Sequence, residues 1–185
     1  MDQNTVFLIV VAIAVIAVAL VAWTVTKKVK TKKLQGQFGP EYERTVQKVG
    51  DRSKAEDELQ ARRKRVEKFK LRPLPPEEQT RFAREWAATQ GRFVDDPKGA
   101  VADANRLVKE LMQARGYPMT DFEQRAADVS VDHPRVVSNY RAAREIAARS
   151  EQGKATTEEL RKAVVYYREL FEELLETPQL VGVAR

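Results

Sequence analysis

One stretch near the N-terminus restricts the possible folds of this 185-residue chain more than any other. From Val6 to Trp23 the sequence runs for 18 residues without a charged side chain, and Thr24 and Val25 extend it. Twenty helical residues span roughly 30 Å, the thickness of a bilayer's hydrocarbon core. Thirteen of those twenty are Val, Ile, Leu or Phe. Together they favour insertion by roughly 4–8 kcal/mol. The stretch therefore predicts a single transmembrane helix from Val6 to Val25.

The charges on either side of this stretch predict its orientation. The N-terminus carries Asp2 and no Lys or Arg, whereas five lysines follow the apolar residues. Positive flanks stay in the cytoplasm, so we predict a bacterial inner-membrane protein with its N-terminus outside and Trp23 at the inner headgroup level. The alternative is a cleaved signal peptide ending near Ala17-Val18-Ala19, although its N-terminal region should be basic. The basic flank consists of Lys27, Lys28, Lys30, Lys32 and Lys33.

The net charge of +6 is unevenly distributed. Residues 27–73 hold 16 Lys and Arg against 7 Asp and Glu, whereas the rest of the chain holds 17 against 20. The basic excess thus lies next to the predicted membrane surface, where anionic lipid headgroups are the expected partners. The densest run, Arg62, Arg63, Lys64 and Arg65, has three interpretations. The first is docking on lipid or on a protein partner, and the second is a solvated helix face with Glu58–Arg62 pairs. The third and least favoured is nucleic-acid binding.

The remaining sequence predicts helices and no strands. Gly36, Gly39 and Pro40 indicate a linker after the anchor, followed by a short helix over 41–49. A capping box at Ser53–Glu56 predicts a second helix running to about 69. Twelve of the nineteen residues 52–70 are charged, which is typical of a solvent-bridging stem. The three prolines of Leu71–Pro76 then favour an extended spacer over a Pro-rich recognition motif.

Beyond this spacer, the apolar spacing predicts a compact bundle of five helices between 76 and 176. Phe82, Trp86, Thr89 and Phe93 share one face of the first helix, and we expect the three aromatic residues to be buried. Short connections favour antiparallel neighbours. Four patterns predict the later helix starts: Asp95-Asp96-Pro97, Thr120–Glu123, Asp132-His133-Pro134 and Thr156–Glu159.

The predicted fold class is therefore all-α, with an N-terminal transmembrane helix, a charged stem helix and a bundle of about five helices. The organisation comprises the anchor and basic flank (1–33), the stem and Pro-rich linker (34–75), the bundle (76–177) and a tail (178–185).

No residue pattern in the sequence is typical of a catalytic, cofactor or metal site. The absence of Cys excludes thiolate ligands and nucleophiles. His133 is the only histidine, and Ser130 and Asp132 lie too near it in sequence to aim at one reacting atom. Glu169, Glu172, Glu173 and Glu176 cluster near the C-terminus, and three of them share a face that a hard cation could occupy. Without a Glu-x-x-His pair, we interpret this face as solvated. No cofactor, metal or small-molecule substrate is expected.

Four segments resemble an uncharacterised family of bacterial single-pass, membrane-anchored helical proteins, over roughly residues 40–176. They are Leu71–Glu78, Arg92–Pro97, Arg115–Pro118 and Asp121–Pro134. The layout is also similar to that of a non-pigmented accessory subunit found beside some bacterial photosynthetic reaction centre–light-harvesting complexes. The resemblance implies a place beside other membrane-complex subunits and transfers no functional residue.

These observations leave two functional hypotheses. The first is a non-catalytic accessory subunit that braces a multi-subunit inner-membrane complex, photosynthetic or respiratory, from its cytoplasmic side. The second is an independent membrane-tethered binding module that recruits a soluble protein, anionic lipid or nucleic acid.

Overall fold

A computed structural model describes residues 3–176, in which eight α-helices and no strands occur. The side chains of residues 3–6, 8–15, 19 and 176 lie outside the described part, as does the predicted tail 178–185. The all-α prediction is confirmed. The helices are α1 (Gln3–Phe38), α2 (Pro40–Val49), α3 (Arg52–Val66), α4 (Pro76–Arg92), α5 (Pro97–Arg115), α6 (Phe122–Asp132), α7 (Val137–Glu151) and α8 (Thr157–Glu176).

The five bundle helices predicted between 76 and 176 are α4 to α8, and two of the predicted caps form as expected. The Asp96 side chain accepts a hydrogen bond from the Gly99 amide at 2.9 Å. The backbone amide of Thr156 donates to Glu159 at 2.8 Å, and the Glu159 amide donates to the Thr156 hydroxyl at 3.3 Å. Each cap gives free amides at a helix start a partner.

Three other predicted helix starts were placed wrongly by one to a few residues. Asp51 rather than Ser53 caps α3, accepting from the Lys54 amide at 2.8 Å. Asp121 rather than Thr120 caps α6. Aspartate competes well with serine and threonine as an N-cap, so neighbouring candidates are hard to separate. The segment 132–134 ends α6 instead of opening α7, which starts at residue 137.

The predicted linker after the anchor is absent from the described structure, because α1 continues to Phe38. Gly36 lies inside the helix and costs about 1 kcal/mol there. Burial of Leu34 and Phe38, both at most 2% exposed, offsets that loss. The chain turns only at Gly39, whose positive φ of 48° suits a residue without Cβ.

The core of the bundle lies where α8 packs along α5 and α7, and α4 packs mainly on α5 with a smaller contact to α8. Trp86 stacks on Phe171 with ring centroids 4.6 Å apart and an interplanar angle of 21°. Trp86 and Phe82 are buried, as predicted, whereas Phe93 is only partly buried at the edge of this core.

A second, smaller hydrophobic cluster joins α1, α2, α3 and α6. The predicted stem helix is α3. It was expected to stand apart from any core, but in the structure it packs into this second cluster. Its thin apolar stripe is sufficient for this contact because α3 also pairs polar groups with α6 and α2. The buried members of this cluster are Leu34, Phe38, Tyr42, Leu59, Val66 and Val131.

The Pro-rich segment is extended, and it lies against the bundle instead of running free. Leu74 is buried, and the Arg72 amide donates to the Arg115 carbonyl at 2.9 Å. The backbone passes so close to Gly116 that a Cβ there would lie 2.5 Å from the Lys70 carbonyl oxygen. The glycine therefore permits both the positive φ of 94° and this approach.

Much of the predicted span Val6–Val25 falls on side chains outside the described part, although its backbone is helical. Over the described residues, no helix combines the length and the apolar character needed to cross a membrane. The described apolar side chains on this part of α1 are exposed, among them Ile16, Val18, Leu20, Val21, Trp23 and Val25.

Candidate functional site

The residues around the single histidine do not assemble into a hydrolytic arrangement. His133 is buried at the end of α6, with its Nδ1 atom 3.1 Å from Glu173 Oε2. The Ser130 hydroxyl donates instead to the Ala127 carbonyl at 2.7 Å. The Tyr117 hydroxyl donates to Asp132 at 3.1 Å. These groups therefore face three different partners and not a common reacting atom.

The C-terminal carboxylates of α8 are likewise dispersed. Glu169 accepts from the Asn139 amide, Glu172 lies 3.7 Å from Arg168, and Glu173 faces His133. The side chain of Glu176 lies outside the described part. Within the described residues, no group of three or more Asp, Glu, His or Cys side chains is placed to hold a metal ion.

The most concentrated polar feature is a buried ion cluster that joins α2, α3 and α7. The Glu41 carboxylate, only 1% exposed, accepts from Arg62 Nη1 at 3.0 Å and from Arg141 Nη2 at 3.1 Å through one oxygen. On the outer side, Glu58 contacts Arg62, and Glu123 accepts from Arg141 at 2.7 Å. The buried charges of Glu41, Arg62 and Arg141 compensate one another, as buried charges require, while Glu58 and Glu123 complete the cluster from its exposed side.

This cluster changes the interpretation of the basic run on α3. Arg62 is buried at the centre of the cluster, and Arg65 forms two hydrogen bonds of 2.8 and 2.6 Å to Asp128 on α6. Arg63 pairs with Glu67 at 3.3 Å. Of the four basic side chains, Lys64 alone is exposed without an ion pair to a described residue. Arg62 and Arg65 therefore connect α3 to α2 and α6, and their guanidinium groups are already paired with carboxylates of the protein.

No sequence pattern predicted the ion cluster formed by Glu41, Glu123 and Arg141. Glu41 follows Pro40 and reads as an ordinary acidic residue in the first turn of a helix. Its partner Arg141 lies 100 residues away, and no local pattern predicts that contact.

The predicted basic flank keeps its cationic side chains accessible at the end of the apolar part of α1. Lys27, Lys28, Lys32 and Lys33 are exposed. Lys27 lies over the Trp23 ring, with its Nζ atom 4.1 Å from the ring centroid. Lys30 pairs with Asp57 of α3 at 3.3 Å.

Beside this flank, α3 crosses α1 and leaves an open groove. The Thr31 hydroxyl donates to Glu56 at 2.7 Å, and the Tyr42 hydroxyl donates to the same carboxylate oxygen at 2.8 Å. Burial alone would raise the pKa of the Glu56 carboxyl, but these hydrogen bonds and the nearby Arg52 guanidinium lower it overall. Glu56 is therefore an ionised structural partner of Arg52. Cationic side chains dominate the groove walls: Lys27, Lys28, Lys30, Lys32 and Arg52.

Comparisons of the chain with protein-family models, with curated proteins and with solved structures gave no match.

Proposed function

We propose that this protein is a non-catalytic accessory subunit, anchored by α1 in a bacterial inner membrane, whose helical domain braces a multi-subunit complex from the cytoplasmic side. The anchor rests on the apolar run from Val6 to Trp23 and on the exposed apolar side chains that continue to Val25. The orientation rests on the five lysines that follow, since positive flanks stay in the cytoplasm.

The continuity between anchor and domain carries the bracing proposal. Helix α1 is 36 residues long, and its last turns contribute Leu34 and Phe38 to a buried cluster. A helix that ends inside the core of the domain transmits a fixed position and angle from the membrane to the domain. A tethered binding module would instead use a flexible linker, which lets the module search for its ligand. The absence of such a linker between α1 and the domain favours the brace over the tethered module.

The arrangement of polar side chains agrees with this role. The buried charges of Glu41, Arg62 and Arg141 connect α2, α3 and α7 and are paired with one another. Weak contacts by the anchor and by the bundle would reinforce each other, because a rigid connection raises the effective concentration of the second contact. The partner would be another large membrane complex, photosynthetic or respiratory, consistent with the resemblance seen in the sequence.

The test is to decouple the anchor from the domain without removing either. A full-length chain with a C-terminal tag is purified in a mild detergent, run on a native gel, and its partners are identified by mass spectrometry. We expect it to migrate with a complex far larger than its own 21.1 kDa. A flexible Gly-Ser insertion between Lys32 and Lys33 should keep the protein in the membrane but lower the thermal stability of that complex to the level seen after gene deletion.

The same insertion after Gly153, an exposed residue in the loop between α7 and α8, is the matched control and should leave the complex unchanged. A parent protein that migrates alone would contradict the proposal. Full complex stability with the insertion between Lys32 and Lys33 would favour the tethered module.

A further inference from the structure

The groove between α1 and the start of α3 carries positive charge that the described protein does not neutralise. Glu56, the acidic side chain among its walls, is already engaged by Thr31, Tyr42 and Arg52. Lys28 and Lys32 are exposed and form no ion pair with any described residue. They are four residues apart on α1, so their side chains lie on the same face of the helix.

The position of the groove along α1 indicates what kind of anion would reach it. Lys28 and Lys32 follow Val25, the end of the apolar span, by three and seven residues. At about 1.5 Å per residue, they lie roughly 5–10 Å beyond the hydrocarbon boundary. The headgroup layer of each leaflet is roughly 5–8 Å thick. With α1 anchored as proposed, Lys28 therefore lies at the depth of the lipid headgroups, and Lys32 lies at the outer edge of that layer, from where its long side chain reaches back toward a lipid phosphate.

We infer that the groove formed by Lys28, Lys32 and Arg52 binds the phosphate-bearing headgroup of an anionic phospholipid of the cytoplasmic leaflet. This inference rests on the proposed membrane anchor and adds a specific lipid contact to it. It moves the lipid contact expected from the sequence away from Arg62 and Arg65, whose guanidinium groups already pair with Glu41 and Asp128. The exposed Arg52 side chain would close the groove from the α3 side while keeping its hydrogen bond to Tyr42 at 3.0 Å.

The lipid also has a structural consequence, because it bridges two helices. A headgroup held by Lys28 and Lys32 of α1 and by Arg52 of α3 would fix the height of the domain above the membrane surface. Positive side chains at this depth are attracted by anionic lipid and are screened by salt.

The test uses the full chain in nanodiscs of two compositions, one purely zwitterionic and one with anionic phospholipid, followed by gentle release and native mass spectrometry. The parent should retain anionic lipid and release zwitterionic lipid. The variant K28Q/K32Q should retain roughly tenfold less anionic lipid or lower still, since each lysine contributes a few-fold attraction. The variant K48Q/K98Q removes the same charge from exposed sites on α2 and α5 and should behave as the parent.

Four outcomes would overturn the inference. Two results would reject the lipid site but leave the membrane anchor untouched. One is equal lipid retention by K28Q/K32Q and the parent, and the other is equal retention of both lipid classes by the parent. Release of the retained lipid by millimolar inorganic phosphate would identify a site for free anions instead. Failure of the parent to incorporate into either nanodisc would reject the anchor itself, so the two proposals fail in distinguishable ways.

Discussion

Replacement of Glu41 by Gln is expected to lower the free energy of unfolding by about 3–5 kcal/mol, the scale for breaking a buried ion pair. The carboxylate is 1% exposed and accepts from two guanidinium groups whose side chains are 5% and 8% exposed. Without its charge, Arg62 and Arg141 would repel each other in a poorly hydrated site. Glu58 and Glu123, which are 41% and 55% exposed, compensate them only from the outer side.

The measurement is chemical denaturation of the full chain in a mild detergent, followed by circular dichroism. Glu43→Gln is the matched control, because Glu43 lies in the same helix turn but is exposed. It should lose no more than about 1 kcal/mol, the scale of a helix-dipole interaction. A loss below about 1 kcal/mol for Glu41→Gln itself would mean that the two arginines find other counterions.

Replacement of Trp86 by Ala is the second change with a large expected effect, again about 3–5 kcal/mol of stability. Trp86 is 5% exposed, stacks on Phe171 and lies where α4 meets α8. Its removal loses the buried area of a large ring and leaves a cavity between the helices, which a packed core refills only partly.

Two further variants, measured in the same denaturation experiment, show whether the loss of stability comes from the lost core packing of Trp86 or from substitution at any site. Trp86→Phe keeps a ring against Phe171 and should lose clearly less stability than Trp86→Ala. Val94→Ala, at a residue 83% exposed, should stay within about 0.5 kcal/mol of the parent. If Trp86→Ala behaved like Val94→Ala, the assignment of Trp86 to the core would be wrong.

The helices of the bundle were predictable because their signals are local. The spacing of Phe82, Trp86 and Thr89 reports one helix face, and the Asp96-Pro97 and Thr156–Glu159 patterns report helix starts. Where two residues that both favour the N-cap position are adjacent, the wrong one was predicted: Thr120 instead of Asp121 for α6. This error moved the start of α6 by one residue and left the helix itself intact.

The sequence-based predictions were wrong where tertiary contacts outweigh the local conformational preference of the residues. Gly36 and Gly39 together predicted a linker, but the burial of Leu34 and Phe38 maintains α1 through the first glycine. Helix α3 was interpreted as a stem because its apolar stripe is narrow. Its attachment depends on Arg65–Asp128, a contact between residues 63 positions apart that composition does not reveal.

The same reason explains why the groove was only half predicted. The lysines after the apolar run are visible in the sequence, and they set the expected orientation. Their arrangement into a groove depends on where α3 crosses α1, and that crossing follows from the Thr31–Glu56 hydrogen bond and from the hydrophobic cluster to which Leu34 and Leu59 belong. A basic run in sequence therefore does not distinguish exposed lysines from arginines that are used internally.

Every proposal made for this protein depends on α1 crossing a bilayer with the helical domain in the cytoplasm. The most direct measurement is a pair of C-terminal fusions in a bacterial host, one to alkaline phosphatase, which is active only outside the cytoplasm, and one to green fluorescent protein, which fluoresces inside it. We expect membrane-bound fluorescence and an inactive phosphatase. An active phosphatase would reverse the orientation, and fluorescence recovered wholly in the soluble fraction would contradict the anchor.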